Sequence, residues 1–438
     1  MLAALLAGLC SEVAAGADDS YRFVPGRGEE RPATLSATEE GVRWNWVAPA
    51  GGWDTALVGV RVTAAAQEPW VELIAGSERI EQYLDPGAQG LRWLNLTSLR
   101  SQLRDGVGVE IRGHGVAIEP GPATVRAYAN RLDLKRPILV LAPHPDDAEI
   151  AAFGLYAGRS ATIVTLTSGN AGDANYERYF SDPAEQYLFK GYLRAVDSVT
   201  VPWQGGIPPE RCYNLGYFDA RLQAMRERPG EPMSEMYGPN QDVSVYRRAN
   251  LGRLLPSGPR TNTWRHLVED LERVLRKVEP ALVVTAHPLL DSHADHQFSS
   301  VALAEALGRW KRPAVFLLYT NHASENLYPF GPPGSVMSLP PWPGPELSVQ
   351  SVYSHPVDPD LQRRKLFALE SMHDLRLSPV EQSGCGETGA QRRPDYPRVP
   401  AVDYLRRGPR SEETFFVFDR AGFEELVRGF LEQIAAGP

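Results

Sequence analysis

The spacing of hydrophobic and polar positions changes once along this chain, and the change divides it in two. From Tyr21 to about Leu134 the period is two: Val58, Val60 and Val62 alternate with Gly59 and Arg61, and Val107, Val109 and Ile111 alternate with Gly108, Glu110 and Arg112. Side chains on a strand point to opposite faces in turn, so this pattern predicts half-buried antiparallel strands. The breaks DPGAQG, RDGVG and EPGPA recur between them and helix-like stretches are few, which predicts an all-β sandwich over residues 18–134. Trp44, Trp46, Trp53, Trp70 and Trp93 fall in this stretch. Most such rings in a small β domain belong to its core, although stacking on sugars is another use.

After Arg136 short apolar runs alternate with amphipathic segments. PILVLA, ATIVTLT, ALVVTA and AVFLLY read as interior strands, and TWRHLVEDLERVLRKV, HQFSSVALAEALGRW and the final AGFEELVRGFLEQIAAG as helices. Strands alternating with helices predict an α/β fold over residues 135–438, with a Rossmann-like, mostly parallel, doubly wound sheet. Residues 220–263 are polar, rich in Gly and Pro, and too long for a simple connection. They are expected either to cover a functional face or to be mobile. No internal repeat is evident.

Composition narrows the partners. A chain of 438 residues exceeds what one core usually organises, which agrees with two domains. A net charge of −9 lacks the basic footprint that nucleic acid or an anionic membrane surface requires. No apolar run is long enough for a transmembrane helix. Near the start, LAALLAGL followed by Ala15-Gly16-Ala17 fits a signal peptide over residues 1–17, and hence export to a periplasmic or extracellular space, although basic residues before the run are missing. Retention of this segment would instead mean a cytoplasmic protein. Cleavage there leaves Cys212 and Cys385, which either pair or stay as buried thiols.

The candidate chemistry lies at two strand ends. RPILVLAPHPDDAEI, residues 136–150, delivers His144, Asp146 and Asp147 to a strand's carboxyl end, where open α/β sheets bind ligands. ALVVTAHPLLDSHADHQFSS delivers His287, Asp291, His293, Asp295 and His296 to another. If the two strands run parallel in one sheet, the clusters meet above it, and two histidines with one carboxylate suit a catalytic zinc. Asp146 and Asp295 also read as N-caps of the helices that follow. His114, His266, His322, His355 and His373 lie outside the clusters and read as surface or satisfied polar residues. GCGETG, Gly384–Gly389, matches a dinucleotide fingerprint in letters, but no strand precedes it and no helix follows.

PHPDDAE followed by HADH resembles the LmbE-like, PIG-L zinc de-N-acetylases, whose signature pairs a His-Pro-Asp-Asp turn with a later His-x-Asp-His. VTLTSGNAG, LRAVDSV and YNLGYFDARL extend the resemblance over most of residues 137–419, with Ala148 a departure from the commonest motif. The resemblance implies that His144, Asp147 and His296 hold Zn2+ and that Asp146 is the general base for a metal-bound water attacking the amide. It also implies that His293 stabilises the oxyanion or protonates the leaving amine, with Asp295 fixing its orientation or that of His296. Arg194 and Asp219 become candidate substrate contacts, for which ordinary ion pairing is the plain alternative. The split between Asp146 and Asp147 fits an extended turn, in which consecutive side chains point in opposite directions. The activity expected is hydrolysis of an N-acetyl group from an N-acetylglucosamine-type sugar or polysaccharide. The alternatives are a zinc amidohydrolase acting on another acylated small molecule, or a silent glycan-binding protein, which would have no need of Asp146.

Overall fold

The computed structural model describes residues 17–172, 176–177, 179–324, 326–375 and 408–436. The signal-peptide expectation, Cys385 with its pairing, and Gly384–Gly389 lie outside the described residues. Buried Cys212 carries a free thiol.

The N-terminal region is built of strands β1 (Tyr21–Phe23), β2 (Glu29–Ala37), β3 (Gly41–Asn45), β4 (Thr55–Ala64), β5 (Trp70–Ala75), β6 (Glu78–Tyr83), β7 (Gln89–Asn95), β8 (Gly108–His114), β9 (Val116–Ile118) and β10 (Gly121–Tyr128). All but β1 join one sheet in the order β6-β5-β8-β3-β2-β10-β4-β7, with β9 on β4. β2 pairs antiparallel with β10 through Glu29–Leu35 and then with β3 through Ser36 and Ala37, so one strand passes between the two halves of the sheet. The halves share a core: Val42, Trp44, Val71, Val109 and Ile111 from one meet Val58, Val60, Val62, Leu94 and Val125 from the other. Trp44, Trp46 and Trp93 are buried, whereas Trp70 stacks on His114 at 3.7 Å between ring centres.

The rest of the chain alternates as the apolar runs predict. It comprises β11 (Ile138–Ala142), α1 (Asp147–Tyr156), β12 (Ala161–Thr167), α2 (Pro183–Thr200), β13 (Cys212–Tyr217), α3 (Leu222–Glu227), α4 (Ser244–Arg247), α5 (Trp264–Val278), β14 (Leu282–Ala286), α6 (Ala294–Leu307), β15 (Val315–Tyr319), β16 (Leu347–Val349), β17 (Ser351–Pro356), α7 (Pro359–Glu370), β18 (Glu412–Asp419) and α8 (Arg420–Ala436). Seven of these strands form a mixed sheet in the order β13-β12-β11-β14-β15-β18-β17. The first five are mutually parallel and β18 runs against both of its neighbours. The chain winds outward from β11 through β12 and β13, then returns to β14 on the other side. This reversal leaves a crevice beyond the carboxyl ends of β11 and β14.

α1, which opens at that crevice, is held from behind. Its helical path breaks at Ala152 (φ −140°, ψ 15°). The N–H groups of Gly154 and Leu155 donate instead to the Glu413 carboxylate on β18, each at 2.8 Å. Buried Lys365 donates to the same carboxylate and to Ile150 O. Residues 220–263 contain α3 and α4 and contribute Leu222, Met225, Val243 and Tyr246 to the main core.

The two regions share apolar packing. Leu57, Trp93, Tyr128 and Phe23 lie in one cluster with Val349, Val352, Phe416 and Phe418. β4 is therefore buried on both faces from Thr55 to Val60, where simple alternation predicted one. Hydrogen bonds stitch the seam: Asn95 Nδ2 donates to Ser354 Oγ, Ser354 N to Thr55 Oγ1, and Asn130 Nδ2 to Val352 O. Among the described residues no helix is long and apolar enough to cross a membrane.

Candidate metal centre

β11 is apolar on both faces and ends in a turn that brings three polar side chains into the crevice. At its apex Asp146 has φ +140° and ψ −31°, outside the regions an L residue ordinarily occupies. This twist, not the expected extended turn, separates the two carboxylates. Asp147 opens α1; its Oδ2 accepts His144 N at 2.8 Å and its Oδ1 accepts Asn321 Nδ2 at 2.7 Å. Asp146 occupies the N-cap position, yet its side chain makes no capping bond.

β14 ends in a second ordered turn. His287 Nδ1 accepts the N–H groups of Leu289 and Leu290, and Asp291 Oδ1 accepts His293 N. The N-cap of α6 is His293, whose Nδ1 accepts Asp295 N at 3.2 Å, so the capping role read for Asp295 belongs to its neighbour. Asp295 instead receives Ala220 N and Leu222 N, anchoring the start of the 220–263 stretch.

Three donor atoms from the two turns converge. His144 Nδ1 and His296 Nε2 are 3.1 Å apart, His296 Nε2 and Asp147 Oδ2 3.1 Å, and His144 Nδ1 and Asp147 Oδ2 3.4 Å. Donors sharing one tetrahedral metal at bonds of about 2.0–2.1 Å stand about 3.3 Å apart, so the triangle fits a zinc-sized ion. Two imidazole nitrogens this close to each other and to one carboxylate oxygen need a cation or a shared proton between them. The outer nitrogens are engaged. His296 Nδ1 faces Asp291 Oδ2 at 3.0 Å, and His144 Nε2 faces Asp219 Oδ1 at 3.0 Å and Asp295 Oδ2 at 3.4 Å. Carboxylates placed there hold the ring protons outward and leave the inner lone pairs for the centre. Burial opposes ionisation of Asp147, but the His296 and His144 imidazoles outweigh it and keep its pKa well below the ordinary value. Overlapping donor sets in the same cluster add His293, His322, Asp219 and Asp295.

The turns thus bring together His144, Asp146, Asp147, His293, Asp295 and His296, and the two residues expected at substrate lie beside them. Asp219 bonds Ala171 N as well as facing His144. Arg194 donates to Asp146 Oδ2 at 2.8 Å. Burial raises the Asp146 carboxyl to a pKa of about 7 against the opposing pull of Arg194. Burial, then the neighbouring imidazoles, pushes His293 down to about 2. Two residues of the cluster escaped the sequence reading. His322, placed there outside the clusters, stands 4.7 Å from His296 and 5.2 Å from His293 between ring centres. Asn321 bonds Asp147 through its side chain and Asp291 through its backbone N–H. Both follow β15, and polar residues at a third strand's carboxyl end were the signal that could have found them.

No curated protein matches the chain. Among solved structures, the A40926 pseudoaglycone deacetylase is 18% identical, with 65% of this chain and 98% of that one covered at a TM-score of 0.35. A deacetylase of teicoplanin biosynthesis, solved with teicoplanin, is 15% identical over 65% and 98% at 0.34. The 4-carboxy-2-hydroxymuconate hydratase of Pseudomonas putida KT2440 is 13% identical over 55% and 79% at 0.29. Likeness this slight does not bear on function. Residues 139–307, which hold both turns of the cluster, match the family model described as GlcNAc-PI de-N-acetylase, PIG-L, in agreement with the two motifs, and the chain therefore carries a PIG-L family domain.

Proposed function

We propose that this protein is a zinc-dependent de-N-acetylase of an N-acetylated amino sugar or glycan, working on a Rossmann-like sheet. The observation that carries the reading is the triangle of His144 Nδ1, Asp147 Oδ2 and His296 Nε2, with edges of 3.1–3.4 Å and a further carboxylate, Asp146, on the adjoining residue. A zinc ion held by these three would supply Lewis acidity and acidify water near neutral pH.

The side chains around the triangle divide the remaining work. Asp146 takes a proton from water as its oxygen attacks the amide carbonyl carbon; the C–N bond then breaks, the nitrogen receives that proton, and acetate and a free amine leave. His293 Nδ1 accepts Asp295 N, so a neutral His293 carries its proton on Nε2 and acts as a hydrogen-bond donor to the developing oxyanion. Asp219 and Asp291 orient His144 and His296. The PIG-L family description supports an N-acetylglucosamine-type substrate.

The test is acetate release from a panel of N-acetylglucosaminyl substrates, with and without chelator. Release that stops on chelation and returns with zinc is expected. Release indifferent to chelator, or none from a zinc-loaded protein on any member of the panel, contradicts the reading.

A further inference from the structure

We infer that Arg194 is a positioning residue that locks Asp146 in place, rather than a group that grips substrate; the inference rests on reading Asp146 as the base. One guanidinium nitrogen, Nη2, donates to two acceptors of a single turn: Pro145 O at 2.9 Å and Asp146 Oδ2 at 2.8 Å. The turn needs holding. At φ +140° Asp146 adopts a backbone conformation that persists only where its surroundings impose it. Its carboxylate receives no capping bond from α1, so the helix it precedes does not fix the side chain. The Arg194 and Asp146 side chains are only 12% and 10% exposed, which limits the solvent screening that makes surface pairs weak.

The sequence clears a path for this contact at two glycines. Gly191 lies one turn before Arg194 on α2, and a Cβ there would come within 2.7 Å of both Asn170 Cβ and Tyr246 Cε1, so α2 lies flush against the loop after β12. Gly169, in that loop at φ +66°, would place a Cβ 2.7 Å from Arg194 Nε and 2.8 Å from Cζ. Both glycines therefore let the guanidinium reach the Pro145-Asp146 turn. An arginine serving substrate alone would not need to be threaded to a backbone carbonyl behind the base.

The experiment compares Arg194→Met, Arg194→Lys, Asp146→Asn and the Arg194→Met/Asp146→Asn double variant, with methyl N-acetylglucosaminide as probe. Positioning predicts that Arg194→Met lowers kcat about 10²-fold, the scale of a slightly misplaced catalytic group, with KM within about twofold and zinc content unchanged. Arg194→Lys keeps the charge but not the reach and planar geometry of the guanidinium, and falls between. In the Asp146→Asn background, Arg194→Met costs nothing further, because both changes remove the same function. A rise in KM at constant kcat, or additive losses in the double variant, overturns the inference in favour of substrate contact. If the wild-type protein releases no acetate from the probe, the base reading fails on its own. The tether is then judged from crystal structures of the wild-type and Arg194→Met proteins. A reoriented Asp146 carboxylate upholds it, and an unmoved one overturns it.

Discussion

The N-terminal β region and the α/β region bury apolar surface in similar ways but treat polar groups differently. In the former, Trp44, Val58, Val60, Val109 and Ile111 close an apolar core between two halves of one sheet. In the latter, His144, Asp147, Asp291, Asp295 and His296 are buried together at the ends of two parallel strands. Burying ionisable groups is costly unless they are paired or coordinate a metal, so a cluster of five marks a site rather than a stable core. The two regions divide the labour. The α/β region holds the candidate site, and the β region covers the apolar flank of the sheet beneath it, through Leu57, Trp93 and Tyr128 against Val352, Phe416 and Phe418.

The largest effect is expected from separating the two regions. A fragment beginning near Leu132 keeps every proposed ligand but exposes Val352, Phe416 and Phe418, and is expected to lose cooperative thermal unfolding and to aggregate. A soluble fragment that unfolds cooperatively and binds zinc would show instead that the regions are independent domains. Next in size is Asp146→Asn, which leaves the triangle intact. Turnover should fall by about 10²–10⁴-fold, the range of a general base, with zinc retained. Near-normal turnover would remove Asp146 from the mechanism.

Smaller effects are expected from substitutions at the seam. Trp93 is buried and meets Phe23 edge-on at 4.6 Å between ring centres. Trp93→Ala should destabilise by about 3–5 kcal/mol in denaturant titration while kcat per folded molecule is unchanged, since no site residue moves. A loss of kcat in the folded variant would mean that the β region takes part in turnover. Glu412, at the same seam, accepts Met337 N and hydrogen bonds from the Ser98 and Ser411 hydroxyls. Burial raises its pKa from 4.5 to about 7 against those hydrogen bonds. A carboxyl with a raised folded pKa binds its proton more tightly when folded. Its stabilising contribution is therefore full below about pH 4.5 and is lost as pH rises to about 7, by up to about 3 kcal/mol. Glu412→Gln should flatten this part of the stability profile, and an unchanged slope between pH 4.5 and 7 would place the proton elsewhere.

How far the sequence revealed this arrangement depended on distance along the chain. ILVLA and LVVTA were legible as interior strands, and the polar residues after each as a candidate site, because each run and its turn are contiguous and the parallel sheet brings their ends together. The two motifs carried the triangle for the same reason. Contacts between separate elements that no motif marks were not legible. Nothing near Arg194 announces that its guanidinium reaches the Asp146 turn, and nothing near Glu413 announces that it takes over the N–H groups of a broken helix. Asn321 and His322 were hidden because their role depends on β15 lying beside β14. The seam escaped because period-two alternation describes one buried face, and β4 has two.

A single metal ion within the triangle of His144, Asp147 and His296 is expected, and elemental mass spectrometry of purified protein detects it. About one zinc per chain should be found in the wild-type protein and in Asp146→Asn, and none in folded His144→Ala, Asp147→Ala or His296→Ala. Full zinc retention in all three ligand variants, or a metal-free wild-type protein that still releases acetate, would contradict it.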